Sequence, residues 1–201
     1  MKNIAVFCSG KGTNLQAIIR AVKKGKLNVN LALVISDNKE AYALKRAKKA
    51  KIKNIFVDPK QFPLKADFEA KIIEYLEQEK IDLIVLAGFM RILSRDFVTR
   101  FKNRIINIHP ALLPSFKGAH GIKDAFDYGV KVTGVTVHFV DELMDHGPII
   151  LQEALRVRED ETLESLEARI HKIEHKLYPE AIRLFCEGKL KIEARKVKII
   201  A

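Results

Sequence analysis

Cysteine is scarce in this chain: Cys8 and Cys186 are the only two in 201 residues. They form no ligand-spaced cluster and no disulfide framework, which argues against a stapled fold and a cysteine-held metal. A cytoplasmic chain with reduced thiols is expected instead. Long apolar runs are also missing. The longest, LIVLAGFM at 83–90, falls far short of the roughly 20 residues that cross a bilayer. The N-terminal MKNIAVFCSGKG is broken by glycine and lysine, so it reads as a first strand and not as a signal peptide. No His/Cys spacing suits zinc. No nucleophile elbow marks a hydrolase, and Ser115, after Pro114, is a poor nucleophile. Repeats, low-complexity stretches and linkers are absent, so one domain over 1–201 is expected.

Charge of one sign is plentiful. Lysine and arginine number 36 against 25 acids, a formal +11. Such an excess suits nucleic acid, an anionic membrane or anionic small molecules. The lysines, however, are spread over several helical segments with glutamates among them. No long basic block with interleaved aromatics occurs. A solvated, lysine-rich surface is the expected explanation, and the partners are expected to be small-molecule substrates, with neither nucleic acid nor membrane. Monomer and homodimer are both compatible with the chain.

The elements alternate. Residues 3–8 predict a strand, and Leu15, Ile18, Ile19 and Val22 share the face of a following helix. A second strand is expected at 29–36, a helix at about 41–50 and a short strand at 54–57. Phe68, Ile72, Tyr75 and Leu76 make a helical stripe over 67–79. IDLIVLAG is a fully apolar fourth strand, as parallel strands covered on both faces are. A short helix near 94–101 precedes a fifth strand. Beyond residue 109, VTGVTVHFV at 132–140 alternates strictly, and 148–157 forms a strand that returns antiparallel. A long helix begins near Thr162, and GKLKIEARKVKII forms a lysine-edged hairpin. The expected fold is α/β: a doubly wound, mostly parallel sheet with antiparallel late strands and a long C-terminal helix.

The run RIINIHPALLP at 104–114 is the chemical focus. Side chains alternate along a strand, so Asn107 and His109 share a face, and Pro110 ends the ladder. Ligands of open α/β sheets bind at such strand ends. An imidazole moves protons near neutral pH, and an amide donates to an oxyanion. A polar strand end with two satisfied side chains is the plainer reading.

Other stretches offer partners. SGKGTN opens the first helix with a phosphate-compatible glycine turn at Gly12, Thr13 and Asn14. The Walker pattern is absent, and Leu15 replaces the third glycine of a dinucleotide fingerprint. Asp37 reads as a turn residue. The turn after the fourth strand places Met90, Ile92 and Leu93 where they suit an apolar ligand or the core. DELMDHGP at 141–148 supplies Asp141, Glu142 and Asp145, and a carboxylate beside His109 would raise its pKa. His138, within a strand, reads as structural, and His146 as an exposed loop residue. Glu174 falls on the apolar stripe of the last helix, so it meets either a basic side chain or a ligand.

Together SGKGTNLQAI, LAGFMRIL, INIHPALLPSFKGAHG, TGVTVHFVDE and DHGPII resemble the glycinamide ribonucleotide formyltransferases, along the whole chain and in order. The resemblance implies a Rossmann-like formyltransferase fold. It also implies formyl transfer from 10-formyltetrahydrofolate, a co-substrate, to the amine of 5-phosphoribosylglycinamide in purine synthesis, with no metal. By resemblance Asn107, His109 and Asp145 are catalytic, with Asp145 favouring a protonated His109. Gly12, Thr13 and Asn14 take the substrate phosphate, and Glu174 contacts the glycinamide substrate. Met90, Arg91, Ile92, Leu93 and Asn107 hold folate. Lys65 stands where many members carry an arginine that contacts folate; it keeps the charge without the planar fork. A formyltetrahydrofolate hydrolase and a non-catalytic nucleotide-binding module are the alternatives.

Overall fold

The structure, a computed structural model, describes residues 1–200. The chain divides into two compact units, Met1–Ile106 and Asn107–Ala201.

The first unit is a run of strand–helix pairs. Strands β1 (Lys2–Phe7), β2 (Val29–Ser36), β3 (Asn54–Phe56) and β4 (Leu83–Leu86) alternate with helices α1 (Thr13–Lys23), α2 (Tyr42–Lys49), α3 (Lys65–Gln78) and α4 (Arg95–Arg100). The strands lie in the order β3-β2-β1-β4, all parallel. All four residues of β4 are buried, as are Ile4 to Phe7 of β1, which is why both read as unbroken apolar runs. Strand β4 is shorter than IDLIVLAG suggests. At its start the Ile81 N–H closes α3 by bonding the Leu76 carbonyl, and at its end Gly88 turns the chain with φ 76°.

The second unit is built differently. Strand β5 (Ile105–His109) carries the chain into it, followed by helix α5 (Gly121–Tyr128), β6 (Val132–Phe139), β7 (Ile149–Arg156), α6 (Leu163–Cys186), β8 (Leu190–Glu193) and β9 (Lys196–Ile199). Strands β6 and β7 pair antiparallel, with a register shift between Val137 and His138. The closing hairpin β8–β9 is antiparallel and meets β7 in parallel at Ile149 and Lys196. Helix α6 packs on β6, β7 and α5. Its first turn is capped by the Thr162 hydroxyl, which accepts the Ser165 N–H at 3.2 Å.

One reading needs correction. Strand β6 alternates in sequence but not in burial: every residue from Thr133 to Phe139 is buried. Its polar members Thr136 and His138 find partners inside, while the buried Thr133 hydroxyl has none. The Thr136 hydroxyl donates to the Ala111 carbonyl at 2.7 Å and accepts the Leu113 N–H at 3.1 Å. Neither cysteine forms a disulfide, and burial pushes the Cys8 thiol up to about 12. Among the described residues no helix is long and apolar enough to cross a membrane.

Candidate active site

The end of β5 sets Asn107 and His109 on one face, as the strand period requires. The segment 141–148 then brings Asp145 to both. Its Oδ2 lies 3.5 Å from His109 Nδ1, and its Oδ1 lies 3.4 Å from Asn107 Nδ2. The Gly118 N–H donates to Oδ2 at 2.8 Å. Asp145 sits at φ 47°, a left-handed conformation its surroundings must impose.

The hydrogen bonds assign the protons. The Phe116 carbonyl can only accept, so His109 Nε2, 2.7 Å away, carries hydrogen. Its Nδ1 lone pair then faces the Asp145 carboxylate. Burial holds the imidazole below its ordinary value, against the upward pull of Asp145, the Phe116 carbonyl and Glu174, with His138 acting downward. Asp145 does pull His109 upward, as expected, but burial outweighs it. The ring is therefore mainly neutral at pH 7 before anything binds. Burial would raise the Asp145 carboxyl, but His138, the Gly118 N–H and His109 more than offset it and hold it low. The pair is an ionised carboxylate beside a neutral imidazole whose next proton goes to Nδ1.

His138 belongs to this cluster, contrary to the purely structural reading. Its Nδ1 donates to the Phe139 carbonyl at 2.8 Å. Its Nε2 lies 3.3 Å from Asn107 Nδ2 and 3.7 Å from Asp145 Oδ1. Gly121, at the start of α5, is also required: a Cβ there would come within 3.1 Å of His109 Nε2 and 3.0 Å of the Phe116 carbonyl.

Glu174 is buried on α6, and a basic side chain does meet it. His171, one turn earlier, approaches with Nδ1 2.8 Å from the carboxylate. The i,i+3 spacing made this partner readable in the sequence. His146 is only half exposed. Its Nδ1 donates to Asp141 at 2.7 Å, and Arg195 contacts its Nε2 at 3.0 Å.

The first unit holds the remaining residues. Gly12 caps α1 at φ 66° without a side-chain hydrogen bond, and a Cβ there would lie 2.7 Å from Ala43 Cβ. Thr13 and Asn14 begin the helix, where the backbone dipole favours an anion. Ser9 ties this loop to the turn after β4. Its N–H donates to the Gly88 carbonyl at 2.9 Å, its hydroxyl donates to Asp37 at 2.6 Å, and it accepts the Met90 N–H at 2.9 Å. Asp37 is thus a structural pin. Met90 and Ile92 are exposed by 69% and 68%, so they are not core. Arg91 lies over the Phe68 ring at 5.2 Å. Lys65 Nζ lies 4.0 Å from Glu69. Glu69, buried on α3, was not singled out in the sequence. It accepts the Ser94 N–H at 2.7 Å and the Ser94 hydroxyl, fixing the start of α4.

An amide, an imidazole and a carboxylate joined at a strand end can steady a developing oxyanion and move a proton, the chemistry of a group-transfer enzyme. The Formyl transferase family model matches residues 2–182, and the chain belongs to that family. It is 45% identical to a phosphoribosylglycinamide formyltransferase of Bacillus subtilis, over 91% of this chain and 94% of that one. The crystal structure of glycinamide ribonucleotide transformylase 1 from Symbiobacterium toebii superposes with a TM-score of 0.97. It is 48% identical, over 100% of this chain and 95% of that one. A formyltetrahydrofolate deformylase from Pseudomonas syringae also superposes, with TM-score 0.91 and 27% identity, over 100% of this chain and 66% of that one.

Proposed function

We propose that the chain transfers the formyl group of 10-formyltetrahydrofolate to the amine of 5-phosphoribosylglycinamide, as a single cytoplasmic formyltransferase domain of purine biosynthesis. The observation that carries this reading is the meeting of Asn107 and His109 at Asp145, whose carboxylate lies within 3.5 Å of both. The relative's name supports the glycinamide acceptor, the family match supports a formyl donor, and its run through both units supports one domain. An exposed apolar pair, Met90 and Ile92, beside a turn pinned by Ser9 suits a flat ring. Arg91 and Leu93 flank the pair, and Lys65 adds a cation. When bound, the folate supplies the formyl group.

The residues then divide the work. Gly12, Thr13 and Asn14 take the phosphate at the start of α1. Glu174, steadied by His171, receives the glycinamide. As the amine attacks the formyl carbon, charge develops on oxygen. Asn107 Nδ2 donates to it, and His109 Nε2–H exchanges the Phe116 carbonyl for it. Each such donor is worth about 2.7–4 kcal/mol. The attacking amine must lose a proton and the leaving nitrogen must gain one. His109 Nδ1, facing Asp145, holds that proton in transit.

Incubation with 10-formyltetrahydrofolate, with and without phosphoribosylglycinamide, tests the reading. Deformylation that requires the glycinamide is expected. Release that ignores it would mark a hydrolase, and neither turnover nor folate binding would leave a nucleotide-binding module.

A further inference from the structure

The segment that carries Asp145 is held on three sides. Gly118 N–H reaches the Asp145 carboxylate at 2.8 Å. Gly147 lies against the Phe139 carbonyl so closely that a Cβ would sit 1.9 Å from it. The third hold comes from the closing hairpin, which lies outside residues 2–182 matched by the family. Arg195, between β8 and β9, donates from Nη2 to the His146 carbonyl at 2.7 Å, while Nη1 lies 3.0 Å from His146 Nε2. The Asp141 carboxylate accepts from His146 Nδ1 at 2.7 Å, so Nε2 offers Arg195 a lone pair. Arg195, His146 and Asp141 thus form a chain of bonds that closes the segment on itself. The pairing of Lys196 with Ile149 sets the hairpin tip beside the same segment.

We propose that Arg195 is a positioning residue: by gripping the His146 carbonyl and ring, it keeps the adjacent Asp145 carboxylate on His109. The proposal rests on the formyl-transfer reading. Four groups act on His109: Asp145, the Phe116 carbonyl, His138 and Glu174. Asp145 alone among them lies on the segment that Arg195 grips. Releasing the grip therefore weakens one upward pull on the imidazole and leaves the other groups in place. Arg195 itself is exposed, so its loss opens no cavity in the core.

The test uses Arg195→Ala and Arg195→Lys in the full chain, with Arg195→Gln as the substitute where the alanine variant does not fold. Three quantities are read: the His109 titration by imidazole NMR, kcat with both KM values, and the thermal midpoint. The expected result for Arg195→Ala is a kcat lower by about tenfold, as a slightly misplaced group produces, with both KM values and the midpoint unchanged. The His109 titration moves lower. Lysine, which can still donate to the His146 carbonyl, restores most of kcat. A wild-type His109 titration in Arg195→Ala overturns the proposal, as does a kcat loss that follows a lowered midpoint. Wild-type protein without formyl transfer would sink the functional reading instead, while the NMR titration still decides the role of Arg195.

Discussion

Replacing Asp145 by asparagine separates chemistry from folding at the strand end. The carboxylate accepts the Gly118 N–H at 2.8 Å through Oδ2, while Oδ1 faces Asn107 Nδ2 at 3.4 Å and His138 Nε2 at 3.7 Å. An asparagine keeps its oxygen on Gly118, because an NH2 there would set donor against donor. The NH2 then takes the place of Oδ1. It gains the His138 lone pair and opposes the Asn107 amide. One contact is lost, one is gained, and a buried charge is relieved. The change in stability is expected to stay within about 1 kcal/mol, a shift of about 2–4 °C for a chain of this size.

The chemical loss is larger. A unit charge on His109 Nδ1 lies 3.5 Å from Asp145 Oδ2, an attraction of about 5 kcal/mol at an effective dielectric of about 20. It acts only while His109 is protonated, so it is withdrawn from the transition state and not from the resting enzyme. Glu174 and the Phe116 carbonyl still pull the same way, so only part of it is lost. A fall in kcat of about 10²–10³-fold follows, or about 2.7–4 kcal/mol. Steady-state formyl transfer at saturating substrates, run beside thermal unfolding of the same preparation, measures both quantities. A kcat within about fivefold of wild type, below 1 kcal/mol, would refute the reasoning. So would an activity loss that matches the fraction unfolded.

Three further outcomes follow from the same geometry. Gly121→Ala puts a methyl 3.1 Å from His109 Nε2, so kcat should fall about tenfold, while helix propensity offsets part of the crowding and the melting point moves little. Glu69→Ala removes the acceptor of the part-buried Ser94 N–H and hydroxyl and leaves a void beside Glu69's buried site, costing about 2–3 kcal/mol. Glu69→Gln keeps an acceptor there and should cost about 1 kcal/mol in denaturant melts. Acidification should weaken the fold in two windows. His109 is held low by burial, so the unfolded chain binds the extra proton first, and stability falls as pH drops through about 6.5 toward the folded value. Asp145 is also held low against its burial, so its contribution is present above about 3.9 and lost as pH falls further. Denaturant titrations at several pH values should show the upper window disappear in His109→Gln.

Local pattern was enough for most elements, because strands β1, β2 and β4 bury nearly every side chain and α6 carries a long stripe. Helix α5 escaped notice for a physical reason. It is eight residues long and buries only Gly121 and Ala125, so its periodicity is too weak to register. Asn107 and His109 were legible because strand geometry alone puts them on one face. Asp145 was not. Its segment also holds Asp141 and Glu142, and only folding decides which acid turns inward, so the family resemblance had to name it.

His138 shows most clearly why a one-strand reading stops short. In V-T-G-V-T-V-H-F the alternation of apolar and polar residues implies one wet face, and a histidine on that face would be unremarkable. The strand instead buries both faces, from Thr133 to Phe139. A buried polar side chain usually needs a partner, and several come from other segments: Ala111 and Leu113 for Thr136, Asn107 and Asp145 for His138. The imidazole of His138 contacts Asn107 on one side and flanks Asp145 on the other, so it helps fix the amide and the carboxylate proposed to act with His109. The alternation was a true signal that Thr136 and His138 share a face, and that face is buried, with His138 reaching Asn107 and Asp145 of the candidate site.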